Sequence, residues 1–112
     1  MEKLAGSGDL GELLNNHIRK TYEIALATCE DFNLKDETQL SKIKGIISDY
    51  YTNITHQRQY NTVANAAVFY VLSQTNPLLS FNYFHETFNV YPKSLKECVK
   101  QIKKIESKKV IA

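Results

Sequence analysis

Apolar residues recur every three to four positions in five stretches of the chain, and no stretch alternates with the period of a half-buried strand. Over residues 10–32, Leu14, Ile18, Tyr22, Ala25 and Cys29 fall on one side of a helix. Asp9, with Glu12 three residues on, fits an N-cap and capping box. A polar connection, residues 33–37, leads to a second helix over 38–53. There Leu40, Ile43, Ile47, Tyr50 and Ile54 step by three and four. Gly45 interrupts this stripe, lowers its helix propensity and leaves room for a neighbour to approach.

The third stretch, residues 61–73, differs in kind. Val63, Ala64, Ala66, Ala67, Val68, Phe69, Val71 and Leu72 cover nearly its whole circumference, and it carries no charged residue. A helix that is apolar all round is buried all round. It is predicted to be central, its alanines letting other helices come close. Asn76–Pro77 breaks the chain after it. Ser80 is a suitable N-cap for a fourth helix over 81–88, with Phe81, Phe84 and Phe88 on its buried side. A turn at residues 89–92 follows. Pro92 suits the first position of a fifth helix, running to about residue 108, because its missing N–H is not needed there. The expected organisation is a flexible N-terminal segment over residues 1–9, one all-α domain over 10–108, and a tail over 109–112.

The fifth helix has two opposite faces. At about 3.6 residues per turn, Leu95, Cys98, Val99, Ile102 and Ile105 share one side, and Lys93, Lys96, Lys100, Lys103 and Lys104 fall on the other. A short helix, a tight turn and a helix with a basic outer face are the parts of a helix-turn-helix. A lysine stripe opposite an apolar stripe is also how any surface helix stays solvated.

The chain has 112 residues, a length suited to one domain with a sizeable core. Its net charge of +2 drives it onto neither nucleic acid nor membrane, so an electrostatic function rests on local clustering at the C-terminal end. Cys29 and Cys98 sit inside apolar helical patterns and read as two buried free thiols of a reducing compartment. No apolar run approaches the length of a membrane span, and the polar start lacks a signal peptide's apolar centre. An intracellular protein is expected.

Catalytic constellations are missing from the pattern. His85 and Glu86 are adjacent and point apart on a helix. No second histidine follows four residues later, as a zinc-protease motif requires. His17 and His56 have no partner that sequence identifies. The glycines form no phosphate loop, and no carboxylate pair stands out as acid and base. No enzyme activity, cofactor, metal or small-molecule substrate is expected. Most aromatic residues have core spacing. Tyr51, Tyr83 and Tyr91 are predicted at the surface, and the loop His56–Gln57–Arg58 is a second basic feature.

The segment QRQYNTVANAAVFYVLSQ, residues 57–74, resembles the third helix of the cyclin-fold repeats in transcription initiation factor IIB and its archaeal relatives. In that family a basic residue precedes an apolar helix with paired alanines and a tyrosine. Arg58, Ala66, Ala67 and Tyr70 take those places here. Residues 79–105 are similar to the family's closing helix-turn-helix. Two departures stand out. His56 and Gln57 occupy places where the family usually has a glycine, and Tyr91–Pro92 follows the turn valine where a small hydroxyl residue is common. The chain has one such repeat and no zinc ribbon.

The resemblance implies a five-helix, cyclin-like repeat with a buried third helix and a C-terminal helix-turn-helix. It also implies a non-enzymatic role in transcription initiation, with promoter DNA, the TATA-binding protein and RNA polymerase as partners. Localisation would be nuclear if eukaryotic and cytoplasmic if archaeal. Carried over by position, Lys93, Ser94, Lys96, Lys100, Lys103 and Lys104 would face DNA, with Arg58 as a secondary contact. Lysine binds phosphate as a point charge, whereas base reading favours Arg, Asn and Gln, so phosphate contacts with weak sequence preference are expected. The alternatives are a cyclin-like adaptor that binds only protein, and an unrelated helical DNA-binding regulator.

Overall fold

The structure, a computed structural model, describes the backbone of residues 2–54 and 58–111 and the side chains of residues 11–54 and 58–109. His56 and Gln57 of the basic loop lie outside the described residues. Five helices follow one another: α1 (Glu2–Asp31), α2 (Glu37–Asn53), α3 (Tyr60–Ser73), α4 (Phe81–Phe88) and α5 (Pro92–Ile111). The described residues contain no strand.

α3 is the axis of the domain, as its lack of charge predicts. Val63, Ala64, Ala66, Ala67 and Val68 are fully buried, and α3 packs against α1, α2 and α5. α2 touches α1, α3 and α5. Its buried set, Ile43, Ile46, Ile47, Tyr50 and Tyr51, therefore spans more than the single predicted stripe. Asp36 caps α2, accepting from the Thr38 N–H at 2.8 Å.

Three expectations are corrected. α1 begins at Glu2, not at residue 10, and takes in residues 2–9, which the sequence reading set outside the domain. Asp9 lies inside it and is not an N-cap. No proline interrupts this segment, and Lys3, Leu4 and Ala5 favour helix. Gly6 and Gly8 each cost about 1 kcal/mol of propensity without ending the hydrogen-bond ladder. Tyr51 is buried, 4% exposed. Its hydroxyl hydrogen-bonds Thr21 Oγ1 at 2.8 Å, and its ring stacks on His17 at 5.5 Å. Gly45 faces solvent, and a Cβ built there meets nothing within 4 Å, so no neighbour uses the space. Tyr83 and Tyr91 are exposed as predicted.

Two polar groups deep in the core lie outside the hydrophobic pattern. Thr28 of α1 donates to Asn65 Oδ1 of α3 at 2.9 Å. Asn65 is fully buried and donates through Nδ2 to Asn61 O at 2.8 Å and Asn61 Oδ1 at 3.0 Å. Asn61 Nδ2 donates in turn to Phe88 O at 3.1 Å. This chain joins α1 and α3 to the end of α4. It satisfies a carbonyl that a helix C-terminus leaves without an intrahelical partner.

Candidate nucleic-acid interface

The approach to α5 is built by local backbone chemistry. Ser80 accepts from the Tyr83 N–H at 3.1 Å and starts α4. Asn89 ends it in the left-handed region, φ 57°, a conformation that asparagine tolerates better than most residues. Its N–H returns to His85 O at 3.1 Å. Val90 is buried and points the chain inward. The Leu95 N–H bonds Tyr91 O at 2.9 Å, which opens α5 with Pro92 in its first turn. His85 Nδ1 lies 3.0 Å from Val90 O; because a carbonyl only accepts, Nδ1 carries the hydrogen.

Once started, α5 buries Leu95, Cys98, Val99 and Ile102 against the core. Ile105, assigned to the same side, is half-buried. Lys93, Lys96, Lys100, Lys103 and Lys104 are all exposed on the opposite side, and Ser94 is half-buried at its edge. α5 carries seven lysines and two glutamates, a net of +5 in a chain of +2, so the remainder of the molecule is net −3. The modest overall charge conceals a strongly one-sided distribution.

The basic residues divide by what they touch. Arg58 is half-buried; its Nε donates to Gln101 Oε1 at 3.1 Å and its Nη2 to Glu97 Oε1 at 3.3 Å. It therefore fastens the α2–α3 connection to α5. Gln101, which also accepts from the Tyr50 hydroxyl at 3.4 Å, is engaged inside the protein and does not reach outward as a base reader. Lys109 bridges Asp49 of α2 and Glu106 of its own helix. Lys96 places its ammonium 5.6 Å from the centre of the Phe81 ring, a contact between α5 and α4. Among the described residues, Lys93, Lys100, Lys103 and Lys104 enter no ion pair.

The remaining candidate chemistry is occupied internally. His17 Nδ1 meets the Tyr60 hydroxyl at 2.5 Å, a partner 43 positions away in the chain. Cys29 and Cys98 are buried free thiols. Burial pushes Cys29 up to about 11 and Cys98 up to about 12, so both stay protonated and unreactive at neutral pH. Among the described residues, no group of three His, Cys, Asp or Glu side chains is placed to hold a metal ion, and no helix is long and apolar enough to cross a membrane.

Sequence reasoning did not find the Thr28–Asn65–Asn61 chain or the Arg58–Glu97 pair. A buried asparagine within an otherwise apolar helix is a usable signal for the first. The second leaves none, because its partners lie 39 positions apart. Comparison with protein-family models, with curated proteins and with solved structures finds no match to this chain.

Proposed function

We propose that this domain is a non-enzymatic nucleic-acid-binding unit of a transcription-initiation factor, a cyclin-like repeat similar to those of factor IIB, whose α4–turn–α5 unit lies against promoter DNA. The observation that carries this reading is the exposed row Lys93, Lys100, Lys103 and Lys104, free of ion pairs within the described residues, on a helix whose opposite face is core. Charges that are not spent on the protein are available to phosphates. The order of the helices around the uncharged α3 and the short turn at Asn89–Val90 support the same reading. Lys96 adds a fifth cation at the edge of the row. Arg58 reaches DNA only by giving up Glu97, so its main work is to hold the α2–α3 connection in place.

Lysines acting as point charges bind the backbone without reading bases. If about four phosphates are neutralised, the logarithm of affinity falls with the logarithm of salt at a slope of roughly −4. The partners in this reading are DNA, the TATA-binding protein and RNA polymerase. The test is fluorescence anisotropy of a labelled TATA-containing duplex, titrated with the domain at two salt concentrations, with and without TATA-binding protein. Salt-sensitive binding that tightens with TATA-binding protein is expected. Sequence-specific binding by the domain alone would point to an independent DNA-binding regulator. No binding at either salt would refute the DNA role and leave a cyclin-like protein adaptor.

A further inference from the structure

Tyr91 stands immediately before α5, at the head of the lysine row, and is 76% exposed. We propose that its ring stacks on an unpaired base, so that the α4–turn–α5 unit holds a single strand of nucleic acid whose phosphates lie along the lysines. This form of the ligand rests on the nucleic-acid reading above. Exposure alone carries no site, because large side chains stand singly on most protein surfaces. The other exposed tyrosine, Tyr83, is engaged by the protein. Its hydroxyl donates to Asp31 Oδ2 at 2.9 Å, and its ring centre lies 5.6 Å from that of Phe32 and 6.2 Å from those of Phe84 and Phe88. The Tyr91 side chain enters neither kind of contact among the described residues, which leaves both its ring and its hydroxyl without a use inside the molecule.

The ring projects from a fixed backbone. Val90 before it is buried, Tyr91 O accepts the Leu95 N–H at 2.9 Å, and Pro92 after it restricts Tyr91 to extended conformations. Only the two side-chain torsions of the tyrosine remain to be ordered on binding, a small entropic cost. The charge beside it is of one sign. At 100° and 1.5 Å per residue, Lys93, Lys100 and Lys104 lie within about 40° of one another and extend about 17 Å along the axis. The acidic residue nearest to them on the helix, Glu97, is taken up by Arg58. No base-reading side chain stands among these lysines, since Gln101 is engaged by Arg58 and Tyr50. A line of cations beside a free aromatic ring is the equipment of sequence-tolerant single-strand binding: the cations track the backbone and the ring takes the face of a base. In a duplex each base already stacks on its neighbours, and a projecting ring gains a partner only by opening a step. A duplex therefore uses the lysines alone, whereas a strand with unpaired bases uses the lysines and Tyr91.

The chain contains no tryptophan, so Tyr91→Trp places a single fluorescent reporter at the site. The test uses the full chain with a labelled oligothymidine strand and a labelled duplex. Anisotropy of the label follows binding, and tryptophan emission follows stacking. The emission of the Tyr91→Trp variant should be quenched saturably by the oligothymidine and change little with the duplex at equal occupancy. Tyr91→Ala should weaken oligothymidine binding roughly five- to a hundredfold, the range for one base stacked on an aromatic ring. The same variant should leave duplex binding and the salt slope unchanged, and Tyr91→Phe should keep the affinity of the wild type for both. Changing Lys96, Lys100 and Lys103 together to Glu should abolish binding of strand and duplex alike. Undiminished oligothymidine affinity in Tyr91→Ala, equal losses on strand and duplex, or unchanged emission from bound Tyr91→Trp would overturn the stacking site and leave the lysine reading standing. Binding of neither nucleic acid by the wild type would overturn the lysine reading and the site with it.

Discussion

Replacing Asn65 with alanine tests the polar chain that joins the core to the α4–α5 turn. The substitution removes the acceptor of Thr28 and both donor contacts to Asn61. Thr28 retains only a weak alternative, Ile24 O at 3.3 Å. Asn61 O keeps its place at the start of α3, but Asn61 Oδ1 loses the contact that orients its amide toward Phe88 O. Each net hydrogen bond contributes about 1 kcal/mol, and a buried group left unpaired costs roughly 1–3 kcal/mol. Asn65 is fully buried, so deleting most of its side chain also leaves a cavity. A loss of about 2–4 kcal/mol is expected, a large fraction of the roughly 5–15 kcal/mol of a typical domain. Urea denaturation followed by circular dichroism measures it. Hydrogen exchange at Asn89 and Val90 reports whether the turn loosens with it. A double-mutant cycle with Thr28→Val should show positive coupling, since removing both partners leaves fewer orphaned groups than removing one. A loss below about 0.5 kcal/mol, the range of an unremarkable surface change, would refute the claim that this chain holds the turn.

Four further outcomes follow from the packing and the charges. Changing Lys96, Lys100 and Lys103 together to Glu should leave the circular dichroism spectrum intact and abolish duplex binding by anisotropy; unfolding would mean that these side chains support the fold. Ala67→Leu inserts bulk into the fully buried face of α3, and should cost roughly 1–3 kcal/mol or more, so an unchanged melting temperature would contradict its central placement. Gly45→Ala meets open space on an exposed helix face and should stabilise the domain by about 1 kcal/mol in urea titration; destabilisation would reveal an unseen neighbour. Cys29, Cys98 and Tyr51 are held neutral by burial, pushed up to about 11, about 12 and about 12 from ordinary values of 9.0, 9.0 and 10.0. Because the unfolded chain would release these protons first, their contribution is complete below pH 9.0 and is lost as pH rises through about 11 to 12. An alkaline denaturation series that stays flat across that window would exclude the effect.

Helices α2 to α5 were legible in the sequence because each has a clean period and most have a chemical punctuation mark, whereas Asp9 and the glycines beside it imitate a boundary that α1 runs through. Ser80 and Pro92 stand where α4 and α5 begin, and the uncharged run of α3 announces its burial. The lysine face of α5 was legible for the same reason, since solvation and core packing divide its residues unambiguously. Tyr51 was not. Adjacent residues on a helix diverge by about 100°, so Tyr50 and Tyr51 are both buried only because α2 is covered by three other helices. A single-stripe reading cannot see a second neighbour. Gly45 failed in the opposite direction, because an absent side chain is compatible with both crowding and open solvent. The Arg58–Glu97 pair depends on which segments meet, which no local pattern encodes.

The partition of positive charge on and around α5 follows from relative magnitudes. Burying an aliphatic side chain contributes roughly 1.5–3 kcal/mol, so Leu95, Val99 and Ile102 together dominate the docking of this helix. A partly exposed ion pair contributes about 0–1 kcal/mol. Arg58–Glu97 in the second turn of α5 and Lys109–Asp49 near its end therefore cannot be what attaches it. They act on its rotation and register: Arg58 pulls on one flank through Glu97 and Gln101, and Lys109 on another through Asp49. With the start of α5 held by the Asn89–Tyr91 turn, the helix is constrained at three points along its length. Among the described residues, Lys93, Lys100, Lys103 and Lys104 enter no ion pair, and they are kept at a defined angle to the protein. In a surface helix kept merely solvated, glutamates would be expected to alternate with lysines and form pairs along the helix. Here one glutamate, Glu97, is taken up by Arg58 and the other, Glu106, by Lys109, leaving the outward row uncompensated. An arrangement that neutralises its own carboxylates, and leaves Lys93, Lys100, Lys103 and Lys104 without ion pairs among the described residues, is what the proposed binding to phosphates would require.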